Sequence, residues 1–196
     1  ALNQISSITD PLGRSVNFIY DLAGRATQKT LPDERVINYS YDANGNVTSI
    51  TPPSRPSHAF TYTPVDLEDS YTPPALTPPL AGGVGGGVTT YGYNLDKQLT
   101  LITRPDNQAI NLNYDISGGR LNNMTLPTGQ ISYTYSTTGN LSAITAPNST
   151  VSFTYDGSLL TGTTWSGAIT GSIGFTYNND FRITTETVNG ANSVSF

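Results

Sequence analysis

The side chains with the greatest capacity for chemistry are few in this sequence. Nucleophilic and metal-assisted catalysis need clustered histidine, cysteine or carboxylate side chains. His58 is the only histidine among the 196 residues, and cysteine is absent. A single histidine in a stretch of alternating apolar and polar residues is typical of a packed or half-exposed sheet position. The sequence therefore predicts no catalytic centre, metal site or cofactor, and we expect the chain not to be an enzyme.

Two further features could be taken for ligand sites. Asp66, Glu68 and Asp69 could contact a calcium ion, because hard cations prefer oxygen ligands. Their spacing does not match an EF-hand, so a solvated cluster of loop charges is the favoured interpretation. The glycine run at 82–87 is not followed by the Gly-Lys-Ser/Thr of a phosphate-binding loop, and it lacks the aspartates of calcium-binding nonapeptide repeats.

A tyrosine followed by a turn-forming residue recurs along the chain. A large apolar or aromatic residue precedes each of these tyrosines by two positions. The tyrosines are Tyr20, Tyr41, Tyr62, Tyr93, Tyr114, Tyr135, Tyr155 and Tyr177. They are separated by 21, 21, 31, 21, 21, 20 and 22 residues. A period this constant indicates a repeat array, with an insertion in the one long interval.

The residues before each tyrosine predict a β-strand. Positions spaced by two share one face of a strand. Ile37, Tyr39 and Tyr41 would therefore lie on one face, with Asn38 and Ser40 on the other. A helix would need a period of 3.6 residues, which no stretch shows convincingly.

The residues around these strands predict turns. After most of the tyrosines stands an aspartate or asparagine, whose side chain accepts backbone N–H hydrogen bonds and mimics a turn. Glycines that can supply a positive φ follow at Gly24, Gly45, Gly118 and Gly139. Prolines lie eight or nine residues before six of the tyrosines and mark the opposite turn. Turn capping therefore accounts for the recurring aspartates better than a carboxylate array does.

Each period is then two strands and two turns. This predicts an all-β fold of tandem antiparallel β-hairpins, forming one long sheet that is twisted and curved because strands twist with a fixed hand. The second strand carries apolar pairs three residues apart, such as Val47 and Ile50 or Leu141 and Ile144. Either a β-bulge separates each pair or both faces of the sheet are partly apolar.

The array divides into three stretches. Residues 1–63 and 91–196 carry the repeats, whereas residues 64–90 are rich in proline and glycine and predict an inserted loop with little regular structure. Both ends cut through a repeat, so we expect a segment truncated at both ends. The net charge is −5 with nine scattered basic residues, which argues against a nucleic-acid partner. No apolar run is long enough to predict a membrane span.

The aromatic residues allow two interpretations. Sixteen of the 18 phenylalanines and tyrosines fall on repeat positions, and only Tyr71 and Phe181 do not. Aromatic residues at a structural period usually pack across strands, which is the favoured interpretation. Exposed tyrosines could instead stack on sugar rings and form a carbohydrate-binding surface.

The repeat resembles that of the YD-repeat, or RHS-repeat, family. The signature Tyr-Asp-x-x-Gly-Arg/Asn stands at residues 20–25 and 41–46, and residues 114–120 carry it with one extra residue. The residues expected to carry the repeat are Tyr20, Asp21, Gly24, Tyr41, Asp42, Gly45, Tyr62, Tyr93, Tyr114, Asp115, Tyr135, Gly139, Tyr155, Asp156 and Tyr177. The resemblance implies a sheet that spirals into a hollow shell. Bacterial members are large secreted or surface proteins whose shell encloses a C-terminal toxin, and related repeats in animal teneurins serve cell adhesion.

Two functions follow as expectations. The first is a structural segment of a shell in a secreted or surface bacterial protein, with neighbouring YD repeats of the same parent protein and an enclosed toxin polypeptide as partners. The second is a carbohydrate- or protein-binding surface in cell-surface adhesion. Rings packed against neighbouring strands would favour the shell, and a row of rings open to solvent would favour carbohydrate.

Overall fold

The structure, a computed structural model, describes residues 4–74 and 87–196. Every helix or strand assigned within these residues is a β-strand. Nowhere in the described ranges is there a helix that is long and apolar enough to cross a lipid bilayer.

The chain divides into two compact units, Ala1–Ala109 and Ile110–Phe196. The strands of the first unit are β1 (Ser7–Thr9), β2 (Ser15–Tyr20), β3 (Ala26–Thr30), β4 (Val36–Tyr41), β5 (Val47–Thr51), β6 (His58–Tyr62), β7 (Glu68–Thr72), β8 (Thr89–Tyr93) and β9 (Leu99–Thr103). Those of the second are β10 (Ala109–Tyr114), which starts at the boundary, β11 (Leu121–Leu126), β12 (Gly129–Tyr135), β13 (Leu141–Ala146), β14 (Ser149–Asp156), β15 (Leu159–Gly167), β16 (Gly171–Tyr177), β17 (Ile183–Val188) and β18 (Asn192–Ser195).

Within each unit, every strand pairs antiparallel with the next strand in sequence. The first unit runs in this way from β1 to β9. The second unit runs likewise from β10 to β18. Such a meander needs only short turns, which the regular period supplies. The predicted all-β fold of tandem antiparallel hairpins is confirmed.

The two faces of the strands differ in exposure as the alternation predicts. In β4, Ile37, Tyr39 and Tyr41 are half-buried, whereas Asn38 and Ser40 are exposed. None of the described residues is buried, so the part of the chain that the structure describes has no closed hydrophobic core of its own. Side chains on the aromatic face are shielded mainly by their cross-strand neighbours, as expected for a single layer.

Each hairpin whose first strand carries a repeat tyrosine contains a β-bulge. The extra residue lies on the second strand, opposite the step from the preceding residue to the tyrosine. In the β4–β5 hairpin Tyr41 pairs with Val47 and Ser40 pairs with Ser49, which leaves Thr48 as an extra residue. The same shift leaves a polar extra residue in each of the described hairpins of this kind: Thr27, Thr48, Asp69, Thr100, Asn122, Ser142, Thr161 and Thr184.

The bulge decides between the two explanations of the apolar pairs spaced by three. Because Thr48 is extra, Val47 lies opposite Tyr41 and Ile50 lies opposite Tyr39. Directly opposite residues share a face, so both members of the pair join the aromatic face. The bulge, and not a second apolar face, explains the spacing.

The structure corrects the bounds of the expected loop at 64–90. Strand β7 lies inside this range and pairs with both β6 and β8, and Thr89 already belongs to β8. The sequence of β7, with Glu68 and Asp69, lacks the apolar alternation of the strands that carry the repeat tyrosines, and pairing on both edges stabilises it instead. The insertion therefore lies between Thr72 and Thr89, and its residues 75–86 lie outside the described ranges.

Candidate functional surface

The repeat tyrosines stand at or next to the end of the first strand of each hairpin. Seven of the eight end their strands, and Tyr155 is the last but one residue of β14. All eight are half-buried. We call the sheet face that carries them, within each unit, the tyrosine face.

The hydroxyl of a repeat tyrosine bonds to the preceding hairpin. Tyr41 Oη donates a 2.8 Å hydrogen bond to the carbonyl oxygen of Ala26, which lies opposite Tyr20. Equivalent bonds join Tyr20 to Ile5 (2.7 Å), Tyr62 to Val47 (2.8 Å), Tyr93 to Glu68 (2.8 Å), Tyr135 to Leu121 (2.9 Å) and Tyr177 to Leu160 (2.7 Å). We call these bonds the tyrosine latches, because each one ties a hairpin to the hairpin before it.

Burial keeps three of the latch hydroxyls protonated. Burial is the main cause that raises the pKa of Tyr41, Tyr62 and Tyr93 above its ordinary value. A protonated phenol can donate, whereas a phenolate cannot. The latches of Tyr41, Tyr62 and Tyr93 therefore keep their donor proton at neutral pH.

The aspartate of the Tyr-Asp pair organises the turn. Asp21 Oδ1 accepts the backbone N–H of Arg25 at 2.9 Å, and the Gly24 N–H donates to the Asp21 carbonyl oxygen at 3.0 Å. The Arg25 backbone N–H is the largest cause that lowers the pKa of Asp21. The Asn46 side chain does the same for the pKa of Asp42, and the Gly118 N–H for that of Asp115.

Arg25 joins its own turn to the next hairpin. Its Nε donates to Asp21 Oδ2 at 2.7 Å, and its Nη1 donates to the carbonyl oxygen of Asp42 at 2.9 Å. The guanidinium lies over the Tyr41 ring, 4.8 Å from the ring centroid. Arg120 repeats the arrangement with Asp115 (3.2 Å) and the Tyr135 ring (4.7 Å). No role for these arginines was predicted from the sequence, although each of them is the last residue of the repeat signature.

Where asparagine ends the signature, its amide makes the contact to the next turn. Asn46 Nδ2 donates to Asp42 Oδ2 at 3.0 Å and to Asp66 Oδ1 at 2.8 Å. Asn140 Nδ2 donates to the Gly157 carbonyl oxygen at 2.8 Å. Both side chains therefore connect successive turns at the same end of the hairpins.

Three of the four expected glycines supply a positive φ. Gly24, Gly45 and Gly139 have φ values of +86°, +99° and +91°. The prediction for Gly118 was wrong, because Gly119 takes this role with a φ of +64°. The extra residue lengthens that turn, so the Gly119 N–H donates to the Asp115 carbonyl oxygen at 3.1 Å.

Asp156 differs from the turn-capping residue that its place in the repeat predicts. It ends strand β14 and pairs with Leu159 across a two-residue turn that contains Gly157, with a φ of +59°. Tyr155 pairs with Leu160, one residue nearer in sequence than the partners of Tyr20 or Tyr41. The shorter connection leaves no room for the capped turn.

The residues considered for chemistry take part in the sheet and its turns. His58 lies in β6, where its Nδ1 and Tyr71 Oη are 2.8 Å apart. Asp66 accepts the amides of Asn44 and Asn46, and Asp69 accepts the Thr61 hydroxyl at 3.2 Å. Among the described side chains, no group of three or more histidines, cysteines or carboxylates is arranged to hold a metal ion.

Comparison with known families agrees with this geometry. The sequence matches the family described as Teneurin YD-shell over residues 1–195. The chain belongs to the Teneurin YD-shell family. The predicted resemblance to YD repeats is thereby confirmed, and this YD-shell chain is a structural shell segment. No curated protein matches the sequence.

Solved structures share the fold of this YD-shell chain. TcdB2-TccC3 with Cdc42 is 16% identical with a TM-score of 0.68, and TcdB2-TccC3 is 15% identical with a TM-score of 0.69; each match covers 89% of this chain and 10% of the other. The Tc holotoxin pore of Photorhabdus luminescens is 13% identical with a TM-score of 0.58, covering 94% of this chain and 12% of the other. At these identities the likeness shows a shared fold. This YD-shell chain spans about a tenth of the length of those proteins.

Proposed function

We propose that this YD-shell segment is part of the wall of a closed β-shell that encloses a C-terminal polypeptide toxin of the same longer protein. In that role the segment has no catalytic activity of its own. Its partners are the neighbouring YD repeats and the enclosed polypeptide. The parent protein is secreted or lies at the surface of a bacterium.

The tyrosine latches are the observation that carries this proposal. In each latch the tyrosine hydroxyl donates a hydrogen bond to the hairpin before it, and Arg25 and Arg120 add contacts to the hairpin that follows. Such bonds strengthen a layer along its length. A layer whose described residues all stay partly exposed gains stability from each further hairpin that pairs with it. These properties suit a wall that is continued by further repeats.

The solved relatives support the enclosed partner by analogy of fold. One solved structure is TcdB2-TccC3 without a hypervariable C-terminal region, and another is a Tc holotoxin pore. In our proposal, a wall built from the same kind of hairpins encloses a C-terminal polypeptide here.

The carbohydrate-binding alternative has weaker support. A row of rings open to solvent was expected for it, but the repeat tyrosines are half-buried and six of their hydroxyls are bonded to backbone carbonyl oxygens. A sugar would have to displace these bonds to use the hydroxyls. Carbohydrate binding therefore stays a prediction without an observation in its favour.

Protease protection in the longer protein that contains this chain tests the proposal. We expect its C-terminal polypeptide to survive trypsin concentrations that digest the same polypeptide expressed alone, as measured by mass spectrometry of the surviving fragments. Equal digestion in both forms would refute enclosure.

A pair of matched variants connects the protection to the wall. Tyr41→Phe with Tyr135→Phe removes two latches and should accelerate digestion of the C-terminal polypeptide. Tyr39→Phe with Tyr133→Phe removes two hydroxyls from the same strands, for which no hydrogen bond is observed within the described residues, and should leave protection unchanged.

A further inference from the structure

One depression on the tyrosine face of the first unit departs from the repeat pattern. It has a volume of about 420 Å³ and lies on strands β5 to β8. Its lining residues are Ile50, Pro52, His58, Phe60, Glu68, Tyr71 and Tyr91. Tyr71 lies opposite Phe60, at the register position that Ile50, Ile102 and Ile144 hold in other hairpins. His58 likewise stands where most repeats carry a β-branched residue.

Contacts among three of the rings hold them in place. The rings of His58 and Tyr71 stack with centroids 5.9 Å apart and an interplanar angle of 11°. The rings of Phe60 and Tyr71 lie 5.2 Å apart at 27°. The 2.8 Å hydrogen bond between His58 Nδ1 and Tyr71 Oη fixes the tilt of the Tyr71 ring. The aromatic lining is therefore organised before any ligand arrives.

Glu68 brings a negative charge to this aromatic lining. It is half-buried in β7 and lines the depression together with Tyr71 and Tyr91. Burial first and the Glu68 carboxylate second raise the pKa of Tyr91. Within residues 4–74 and 87–196, no basic side chain forms an ion pair with Glu68, and no hydrogen bond to its carboxylate is observed. A partly buried carboxylate beside aromatic faces favours a cation, both by charge and through the negative faces of the rings.

The same face pairs rings with cations elsewhere in the first unit. Arg25 lies over the Tyr41 ring, and Lys29 Nζ lies 6.0 Å from the centroid of the Phe18 ring. Lys29 lies opposite Phe18 in the β2–β3 hairpin, which is the register position that Tyr71 holds opposite Phe60 in the β6–β7 hairpin. In the β2–β3 hairpin the chain itself supplies the cation, whereas in the β6–β7 hairpin the Tyr71 ring holds the position of Lys29 and the Glu68 carboxylate holds that of Ala26.

We propose that this depression binds the cationic side chain of a lysine or arginine from a polypeptide that lies against the tyrosine face. The proposal rests on the proposed function, because the enclosed polypeptide would supply that side chain. His58, Phe60, Tyr71 and Tyr91 form the aromatic walls, and Glu68 provides the countercharge.

The test compares two short peptides that differ in one charge. An acetylated, amidated Gly-Ser-Lys-Ser-Gly peptide and its norleucine counterpart are titrated into the 196-residue chain, and binding is followed by NMR shifts of the His58 and Tyr71 rings. We expect the lysine peptide to bind roughly tenfold more tightly than the norleucine peptide. Equal affinities, or no shift with either peptide, would overturn the proposal.

Variants of the chain locate the binding. Glu68→Gln should weaken the lysine peptide severalfold, and Tyr71→Ile, which restores the residue of other hairpins, should do the same while the fold is kept. Asp69→Asn is the matched control, because it removes a charge one residue away, on the exposed face beside Thr61. An equal loss with Asp69→Asn would show that general charge, and not the depression, attracts the peptide, and would refute the site.

A negative result here does not decide the proposed function. Enclosure is measured by protease protection in the longer protein, and protection does not require that any cationic side chain occupy this depression. If the C-terminal polypeptide is not protected in the longer protein, enclosure is refuted. If it is protected but the lysine peptide does not bind, only the cation site is refuted.

Discussion

The Tyr41 hydroxyl donates a 2.8 Å hydrogen bond to the carbonyl oxygen of Ala26, and the Ala26 residue itself lies opposite Tyr20. One residue thus faces the tyrosine of its own hairpin and accepts the hydroxyl of the next. The Arg25 guanidinium also lies over the Tyr41 ring. The Tyr-Asp-x-x-Gly-Arg signature therefore describes a connection between successive hairpins as much as a turn.

Removing one latch should destabilise the chain measurably. We expect Tyr41→Phe to lower the free energy of unfolding by about 1 kcal/mol, because the Ala26 carbonyl loses a partner while the ring contacts remain. Urea unfolding followed by circular dichroism measures the change. Tyr39→Phe is the control, since no hydrogen bond of the Tyr39 hydroxyl is observed within the described residues, and similar losses for both variants would contradict the latch.

Arg25 and Arg35, which each form an ion pair with a nearby aspartate, should differ in their effect on stability. Arg25→Met removes the pair with Asp21, the bond to the Asp42 carbonyl oxygen and the contact with the Tyr41 ring, which contributes roughly 0.5–1 kcal/mol at partly exposed sites. Arg35→Met removes only an exposed pair with Asp33 and should change stability little. Thermal unfolding of the two variants compares them, and an equal effect would show that the ring contact and the Asp42 bond together add nothing to an ion pair.

Acid should weaken the fold through the turn aspartates. The pKa values of Asp21, Asp42 and Asp115 are lowered in the folded chain, chiefly by hydrogen bonds that their carboxylates accept. An aspartate whose pKa is lower in the folded chain than in the unfolded chain, where 3.8 is the reference pKa, stabilises the fold at a pH above the unfolded pKa. This stability is lost as the pH falls through the folded pKa.

Substitution of one aspartate tests this pH dependence. Asp21→Asn should make the decrease in stability below about pH 4 shallower, as measured by urea unfolding at a series of pH values. Asp96→Asn serves as the control, because its carboxylate makes no hydrogen bond observed within the described residues. A slope that is unchanged by Asp21→Asn would exclude Asp21 as a source of the acid sensitivity.

Phe181 occupies a backbone position that favours glycine. Its φ is +60°, its side chain is 71% exposed, and its N–H donates to the Asn178 carbonyl oxygen as Gly24 does to Asp21. Phe181→Gly should therefore raise the free energy of unfolding by about 1 kcal/mol, because an L-residue is strained there. Leu22→Gly, in an exposed turn position without positive φ, should give no gain. A loss of stability in Phe181→Gly would show that the ring makes a contact that outweighs the strain.

Local pattern determined the repeat, the strand faces and the hairpin class from sequence alone. Alternation has a period of two wherever a strand forms, and aspartate, glycine and proline act within four or five residues of themselves. This is why the aromatic face of β4 and the capped turns at Asp21 and Asp42 were predictable.

Only the tertiary structure decided what depends on a neighbouring strand. The bulge at Thr48, the latch from Tyr41 to Ala26 and the position of Arg25 over the Tyr41 ring all require the register between hairpins. Strand β7 forms because partners on both sides satisfy its backbone, although its sequence lacks the apolar alternation. Turn length likewise moved the positive φ from Gly118 to Gly119. The spacing of residues within one strand does not specify which atoms of the neighbouring strand come within hydrogen-bond distance. For this physical reason the local features could be predicted from the sequence and the contacts between hairpins could not.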